Sequence, residues 1–424
     1  MRGRAVVIAN SSNHISSNQL RTSLKVAVCL KLLGEAEGQR KRMPAQHANI
    51  AVVGAGIVGL AHAYLAAKAG KSVVVFERRP RAAGASVRGF GLIAPISQSA
   101  GSTYQMAIGS REGWMGLLQA ARLPYQPTGS LHLAYHDDEL AVIQEFCELG
   151  PGFGYVCQWL DPRAVEARTQ AVLSAGLLGA IWSPTEVAVD PRLLLRKIPE
   201  FLAERYGVQF RFGCAVRSIE LPRIETGADT VSGTWTADAA IVCAGEDFET
   251  LYAGVFAGSG LTRIKTQILR TGPQPGGWRL GPSLLAGLSL RYSPAFSICP
   301  SLGQLRERIA RELAEYDRWG IHVMVAQEPD GELTLGCSHE EGIAPDVFDK
   351  TAIDNLIIGY VRNFLQAPNL DVTEHWHAIH ARYPERPFLA CTPAENVRVV
   401  TGLGGADLTL SFGLAKRVLG EMSL

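Results

Sequence analysis

Ile50-Ala51-Val52-Val53-Gly54-Ala55-Gly56-Ile57-Val58-Gly59-Leu60 is the stretch whose reading decides the fold. Four apolar residues suited to a buried strand run straight into G-x-G-x-x-G, and an Ala-rich run of helical character comes next. In this motif the first glycine permits a tight turn, the second lets backbone approach a pyrophosphate, and the third lets helix pack on strand. The phosphates would rest on the helix N-terminus near Ile57, where free N–H groups and the helix dipole favour anions. Downstream, Gly70 is placed to end the helix, and Ser72-Val73-Val74-Val75-Phe76 reads as a second parallel strand ending in Glu77. A carboxylate roughly twenty residues after the glycines stands where an adenosine ribose presents its hydroxyls. Strand, helix and acid together predict a dinucleotide-binding βαβ unit and an α/β fold.

Around this unit lies ample core material: 424 residues, 47% of them hydrophobic, with a net charge of only +1. That size suits two or three domains or subdomains. No basic tract argues for nucleic acid and no apolar run is long enough to span a bilayer, so the expected partner is a small molecule. Cys29, Cys147, Cys157, Cys214, Cys243, Cys299, Cys337 and Cys391 show no C-x-x-C spacing. Neither a metal site nor a disulfide framework is indicated, and a reducing, cytoplasmic setting is expected.

Residues 1–42 differ from the rest of the chain, being rich in Ser, Asn and basic residues, with Glu35 and Glu37 the only acids and Arg40-Lys41-Arg42 directly before Met43. A basic, Ser-rich, acid-poor segment reads either as an organellar transit segment or as an extension upstream of a start at Met43. The second reading is preferred, because a nucleotide-binding strand usually begins close to the functional N-terminus.

Beyond Glu77, the run Arg78 to Ile93 is dense in Gly, Ser and Arg and predicts an extended loop. From Gly101 the pattern changes. Helical stretches at 111–121 and 137–149 flank an alternating strand at 130–135, and Val189-Asp190-Pro191 caps a helix at 192–206. Strands are expected at 208–212, 233–238 and 239–245, the last ending in Ala244-Gly245. Residues 264–271, 284–292, 321–327 and 332–336 read as strands of a mixed or antiparallel sheet, with helices at 305–316 and 352–364. Val397 to Thr401 is a strand feeding Gly402-Leu403-Gly404-Gly405-Ala406-Asp407, after which 408–419 is helical.

Four glycine-bearing turns, at 54–59, 84–91, 244–245 and 402–405, exceed what a nicotinamide enzyme needs. From Ile50 to its end the chain resembles the FAD-dependent family of D-amino-acid oxidase, glycine oxidase and sarcosine oxidase, called the DAO family. The resemblance implies a Rossmann-like FAD-binding domain (43–100, 186–260 and 376–424) interleaved with a mixed or antiparallel-sheet substrate domain (101–185 and 261–375). It also implies non-covalent FAD held by Gly54, Gly56, Ile57, Val58, Gly59, Glu77, Arg78, Ala85, Ser86, Arg88, Val216, Ala244, Gly245, Gly402, Gly404, Gly405, Ala406, Leu408 and Thr409. A helix N-terminus at the last turn has a physical rationale, since two-electron reduction places negative charge on the pyrimidine edge of the flavin.

Trp319-Gly320-Ile321-His322-Val323-Met324, Gly336-Cys337-Ser338-His339-Glu340 and Thr409-Leu410-Ser411-Phe412-Gly413-Leu414-Ala415 are similar to a subgroup associated with phosphonate metabolism. That implies oxidation of a small amine such as 2-aminoethylphosphonate or its N-methyl derivative, by hydride transfer to flavin N5 and hydrolysis of the imine. Oxygen or another acceptor would then take the electrons. Amino-acid-oxidising relatives often carry Gly-Leu-Arg-Pro after a Trp; here Trp376 is followed by His380 at the Arg place, with Arg382 two positions on. His380 and Arg382, together with Tyr292, His339 and Asp407, are the expected catalytic or substrate-holding residues, and Arg291 is a further candidate. Asp407 replaces a small residue of the family turn. The segment 379–383 has no Cys to tether flavin, and the oxygen-activating Lys of sarcosine oxidases falls near Thr334. Two other readings stay open: an oxidase or dehydrogenase of glycine, sarcosine or a D-amino acid, and a flavin-binding protein without catalysis.

Overall fold

In the computed structural model, which describes residues 46–227 and 234–422, the opening stretch lies at the centre of an eight-stranded sheet. Gln46–Val53 pairs in parallel with Val73–Glu77 on one side and Thr234–Val242 on the other. Gln209–Phe212 and Val397–Thr401 extend the sheet outward, again in parallel. Leu389–Ala394 closes one edge antiparallel, and the hairpin Ala215–Glu220 and Arg223–Gly227 attaches to Thr234–Val242. Ile50, Ala51, Val52 and Val73 to Phe76 are all buried. Such unbroken apolar runs are what a parallel strand covered on both faces requires. The two strands expected between 233 and 245 are one strand, Thr234–Val242.

Ile57–Lys68, Ser102–Ala121 and Asp407–Glu421 pack together beside this sheet. The first turn of the last helix is tied down by side chains. The indole N–H of Trp114 donates to the Leu408 carbonyl at 2.8 Å, and the Phe412 amide donates to Ser110 Oγ at 3.0 Å. All of these atoms are buried, where an unpartnered polar group would cost about 1–3 kcal/mol.

The second sheet has nine strands, running from Glu340–Gly342 through Thr262–Thr271, Leu333–Gly336, Met324–Gln327, Ser283–Leu285, Ser130–Ala134 and Gly179–Ser183 to Gln158–Leu160. Val372–Arg382 pairs along the free edge of Thr262–Thr271. Pairing is antiparallel except between Ser283–Leu285 and Ser130–Ala134. The boundary expected at 376 therefore falls inside a strand of this second sheet. The strand expected at 284–292 stops at Leu285 and becomes a helical turn, Gly287–Leu290. Within that turn the Ser289 amide donates to the Ala286 carbonyl at 2.8 Å, and the Ser289 hydroxyl donates at 2.9 Å to the Val323 carbonyl, which also accepts the Ala286 amide at 3.4 Å. The expectation for residues 1–42 lies outside the described residues. Among the described residues no helix is long and apolar enough to cross a membrane.

His132, on the Ser130–Ala134 strand, is fully buried beside Phe296, and among the described residues neither ring nitrogen has a partner. Burial pushes its pKa down to about 3. The folded state therefore stays unprotonated while the unfolded chain takes a proton below its ordinary 6.5, so stability is lost as pH falls from 6.5 toward 3. His132→Leu should remove that loss, raising stability at pH 5 relative to pH 8 by about 2 kcal/mol more than in the parent protein. Thermal melts at the two pH values check this.

Candidate active site

Two cavities meet end to end at Ala85, Ser86, His380, Gly402, Leu403 and Asp407, which line both. The first lies at the carboxyl ends of the central parallel strands, where open α/β sheets bind their ligands. Gly54, Gly56, Val58, Glu77, Arg78, Val216, Ala244 and Gly245 face it. Gly54 has φ +105°, and a Cβ there would stand 2.4 Å from the Cys243 carbonyl oxygen. A Cβ on Gly59 would meet the Gly54 carbonyl oxygen at 1.9 Å. Gly59 thus lines no cavity, but it lets the Ile57–Lys68 helix start directly on the turn. Its N-cap residue, Gly56, has no side chain to cap it and its first turn carries no acid, which leaves amides beyond Ile57 available to an anion. Ser86 Oγ accepts the Ile57 amide at 3.1 Å.

Glu77 ends its strand beside the turn. One carboxylate oxygen accepts the Ala55 amide at 3.1 Å and the other the Arg79 amide at 3.0 Å. Arg78 reaches across to Asp247 at 2.6 Å. Arg88, like Gly59, is an expected cofactor residue that lines neither cavity. Its guanidinium donates to the His377 carbonyl at 3.4 Å, and its own carbonyl accepts the Trp376 indole N–H at 2.9 Å. It fastens the Ala85–Arg88 turn to the Val372–Arg382 strand instead.

The second cavity is floored by Gly402 to Thr409 and by Ile57. The Asp407–Glu421 helix opens onto it with no side-chain cap, while Thr409 Oγ1 accepts the Ala94 amide at 3.0 Å. Asp407 does not turn away from the cavities. Its Oδ2 lies 3.2 Å from His380 Nδ1 where the two cavities join. An ionised carboxylate only accepts, so Nδ1 carries the proton and Nε2 is left as an acceptor. Arg382 lines the same cavity two residues on, with Glu341 at 3.7 Å from its Nε, and Arg386 joins it from the adjacent loop.

Tyr292, His322, Cys337 and His339 form another wall of this cavity. The Tyr292 ring centroid lies 5.2 Å from that of His322 and 5.3 Å from that of His339, and the two imidazoles are 4.6 Å apart. Burial holds His322 down to about 3 and His339 well below its ordinary range, with nearby His and Arg groups adding to the effect on His339. Burial also raises Tyr292 and pushes the Cys337 thiol up to about 12. This wall is therefore uncharged at neutral pH. Arg291, by contrast, lines no cavity. It serves the Leu288, Tyr316 and Ile321 carbonyls and faces Asp317 at 3.5 Å.

Sequence alone gives His322, Cys337 and Arg386 no role of their own. The signal for the first two is a histidine and a Cys-x-His flanking adjacent apolar runs, which becomes visible only once the runs are known to pair.

A turn that excludes side chains, an open helix N-terminus, a carboxylate beside it and a second glycine turn across the molecule together fit an extended dinucleotide with a ring system at its far end. Fold and site define an FAD-dependent oxidoreductase. The DAO family of FAD dependent oxidoreductases matches residues 49–420, and the chain belongs to that family. Glycine oxidase from Geobacillus kaustophilus is similar in fold, with TM-score 0.70 and 18% identity over 89% of this chain and 95% of that one. L-proline dehydrogenase from P. horikoshii gives 0.68 and 18% over 88% and 92%. L-alpha-glycerophosphate oxidase from Mycoplasma pneumoniae, with FAD bound, gives 0.70 and 14% over 89% and 95%. No curated protein sequence matches the chain.

Glu77→Gln should weaken FAD binding to the apoprotein by about ten- to a hundredfold, the worth of charge-assisted hydrogen bonds. Arg88→Met, outside both cavities, should change it by less than about threefold, well under 1 kcal/mol; recovery of flavin fluorescence on dissociation measures both. Asp407→Asn should raise the flavin midpoint potential, by about 30 mV for each 1.4 kcal/mol of repulsion removed. An unchanged potential in a dye-equilibrated titration would put the carboxylate outside the field of the ring.

Proposed function

We propose that the protein oxidises the C–N bond of a small amine bearing an anionic group, an aminophosphonate such as 2-aminoethylphosphonate or its N-methyl derivative. The observation that carries this reading is the pairing of Asp407 with His380 at the junction of the cavities, in the same cavity as Arg382 and Arg386. One side chain set suits an amine and the other an anion.

An ammonium must lose its proton before the carbon beside it can give up a hydride. With Nδ1 donating to Asp407, the His380 ring offers Nε2 to take that proton and keeps its orientation while doing so. Arg382 and Arg386 supply positive charge in forked geometry, which matches the three oxygens of a phosphonate better than a point charge would. Tyr292 and His339 add polar contacts that carry no charge of their own. Bound FAD supplies the two-electron acceptor, and the released imine hydrolyses in water. Cys391, the cysteine weighed from sequence as a tether, lines neither cavity, which supports non-covalent attachment as far as that position goes; Cys337 is the cysteine that lines the second cavity. Relatives named as glycine oxidase and L-proline dehydrogenase support amine chemistry, whereas the glycerophosphate oxidase shows that family membership alone does not specify it.

Anaerobic mixing of the purified yellow protein with amines tests the proposal. The flavin band should bleach with 2-aminoethylphosphonate or its N-methyl derivative and not with glycine. Bleaching by glycine, sarcosine or proline alone would return the protein to amino-acid oxidation, and no bleaching with any amine would mark a flavin binder without catalysis. Arg382→Met should lower kcat/KM for the aminophosphonate by about ten- to a hundredfold, mainly through KM. An amine without the anion should be oxidised equally by both forms. Peroxide assay then identifies whether oxygen is the acceptor.

A further inference from the structure

We propose that His322, Cys337 and His339 form a three-ligand site for a borderline-soft divalent cation, zinc in the first instance, with the remaining position open to the second cavity. This goes beyond the oxidation proposed above and does not rest on the identity of the amine.

The geometry is that of a ligand set already gathered. One donor atom from each residue lies within 4.8 Å of the others. Cys337 Sγ is 3.3 Å from His322 Nε2 and 3.9 Å from His339 Nε2. Zinc bonds of about 2.3 Å to sulfur and 2.0–2.1 Å to nitrogen, arranged tetrahedrally, require S···N separations of about 3.5 Å. The observed S···N pair straddles that value, so shifts of a few tenths of an ångström bring both separations to it. Two nitrogens and one sulfur from protein, with an open fourth place, is also the make-up of catalytic rather than structural zinc sites.

Main-chain bonds hold the three residues where they are. Met324–Gln327 and Leu333–Gly336 form an antiparallel pair, with Met324 opposite Gly336. The ladder continues past the strand ends: the His322 amide donates to the Cys337 carbonyl at 3.0 Å and the His339 amide to the Trp319 carbonyl at 3.0 Å. Between the two ligands, Ser338 is pinned to Gln267, its amide donating to the carbonyl at 3.3 Å and its hydroxyl accepting the amide at 3.0 Å. Cys337 and His339 both line the second cavity from this segment.

The same three side chains are poorly matched without a metal. A thiol has one proton and gives it to one imidazole; the other ring must then present N–H to sulfur, a weak acceptor. A cation satisfies all three at once. His380 and Arg382 bear electrostatically on His339, and Arg291 on both imidazoles; Arg291 is engaged by Asp317 and three carbonyls, and Arg382 faces Glu341 at 3.7 Å. The thiolate formed on binding further offsets the charge of the ion. The open position suits water or an anionic oxygen.

The test uses the full-length, FAD-loaded protein, stripped with chelator and titrated with zinc against a chromophoric chelator. We expect one zinc per chain in the parent protein and, in Cys337→Ser, affinity lower by on the order of a hundredfold, at least what loss of an outer-shell partner costs. Zinc should also slow iodoacetamide labelling of Cys337 by about tenfold or more, because a coordinated thiolate is shielded; the mass of the Cys337 peptide reports this. A parent protein that binds no zinc, or a Cys337→Ser protein that binds it as tightly, overturns the proposal. If Cys337→Ser fails to retain FAD, labelling of the parent protein decides alone, and equal rates with and without zinc overturn the site.

Discussion

The ladder between Thr262–Thr271 and Val372–Arg382 is the constraint on which the site depends. It runs nearly the full length of both strands, and its far end continues into the second glycine turn. The Tyr383 amide donates to the Gly402 carbonyl at 2.9 Å, the Gly404 amide to the Ala381 carbonyl at 2.8 Å, and Arg382 and Leu403 form an isolated bridge. The substrate-side sheet is thus bonded through main chain to the turn that precedes the last helix. His380 and Arg382 acquire their places relative to Asp407 from backbone geometry, which leaves little to side-chain preference. Arg88 and Trp376 add a third fastening, holding the Ala85–Arg88 turn against the same strand. Three segments distant in sequence converge on one strand, and the two cavities join where they do so.

Asp407 illustrates how local and functional electrostatics trade against each other. In the first turn of a helix a carboxylate is favoured by the dipole, which explains why the fold tolerates it. Beside a cofactor that gains negative charge on reduction it is unfavourable. Its contact with His380 offsets part of that cost, because the imidazole donor spreads the charge and stands ready to become a cation when it takes a proton. The same pairing orients the His380 ring, so one acid serves both the helix and, on the proposed reading, the base.

What sequence makes legible here is what backbone demands. Gly54 and Gly59 could be assigned because any side chain there collides with a carbonyl, and Glu77 because the length of a βαβ unit places it beside the turn. Asp407 stood out as a charge where a small residue belongs. Other features depend on pairing between strands far apart in sequence. His322 and His339 meet over Cys337 only because Met324 is opposite Gly336, a register that neither run specifies alone. Arg88 carries the charge expected of a cofactor contact, yet spends it on a main-chain carbonyl nearly three hundred residues away in sequence. The run at 284–292 has a strand-like composition, but the chain turns after Leu285, and the Ser289 hydroxyl donates to the Val323 carbonyl alongside the Ala286 amide.

The distribution of charge in the second cavity follows from burial. Its wall of Tyr292, His322, Cys337 and His339 is polar in composition but neutral, because desolvation disfavours every charged form there. Arg382, Arg386, Asp407 and Glu385 are the carboxylate and guanidinium side chains lining the same cavity. On the proposed reading, neutral and charged groups lining one cavity suit a molecule whose two ends differ, an anion and an amine. A divalent ion at the three-residue site would convert the neutral wall into a second anion-seeking surface. The cavity would then favour a substrate with negative oxygens on more than one side, and occupancy of that site would tune which small amine the protein accepts.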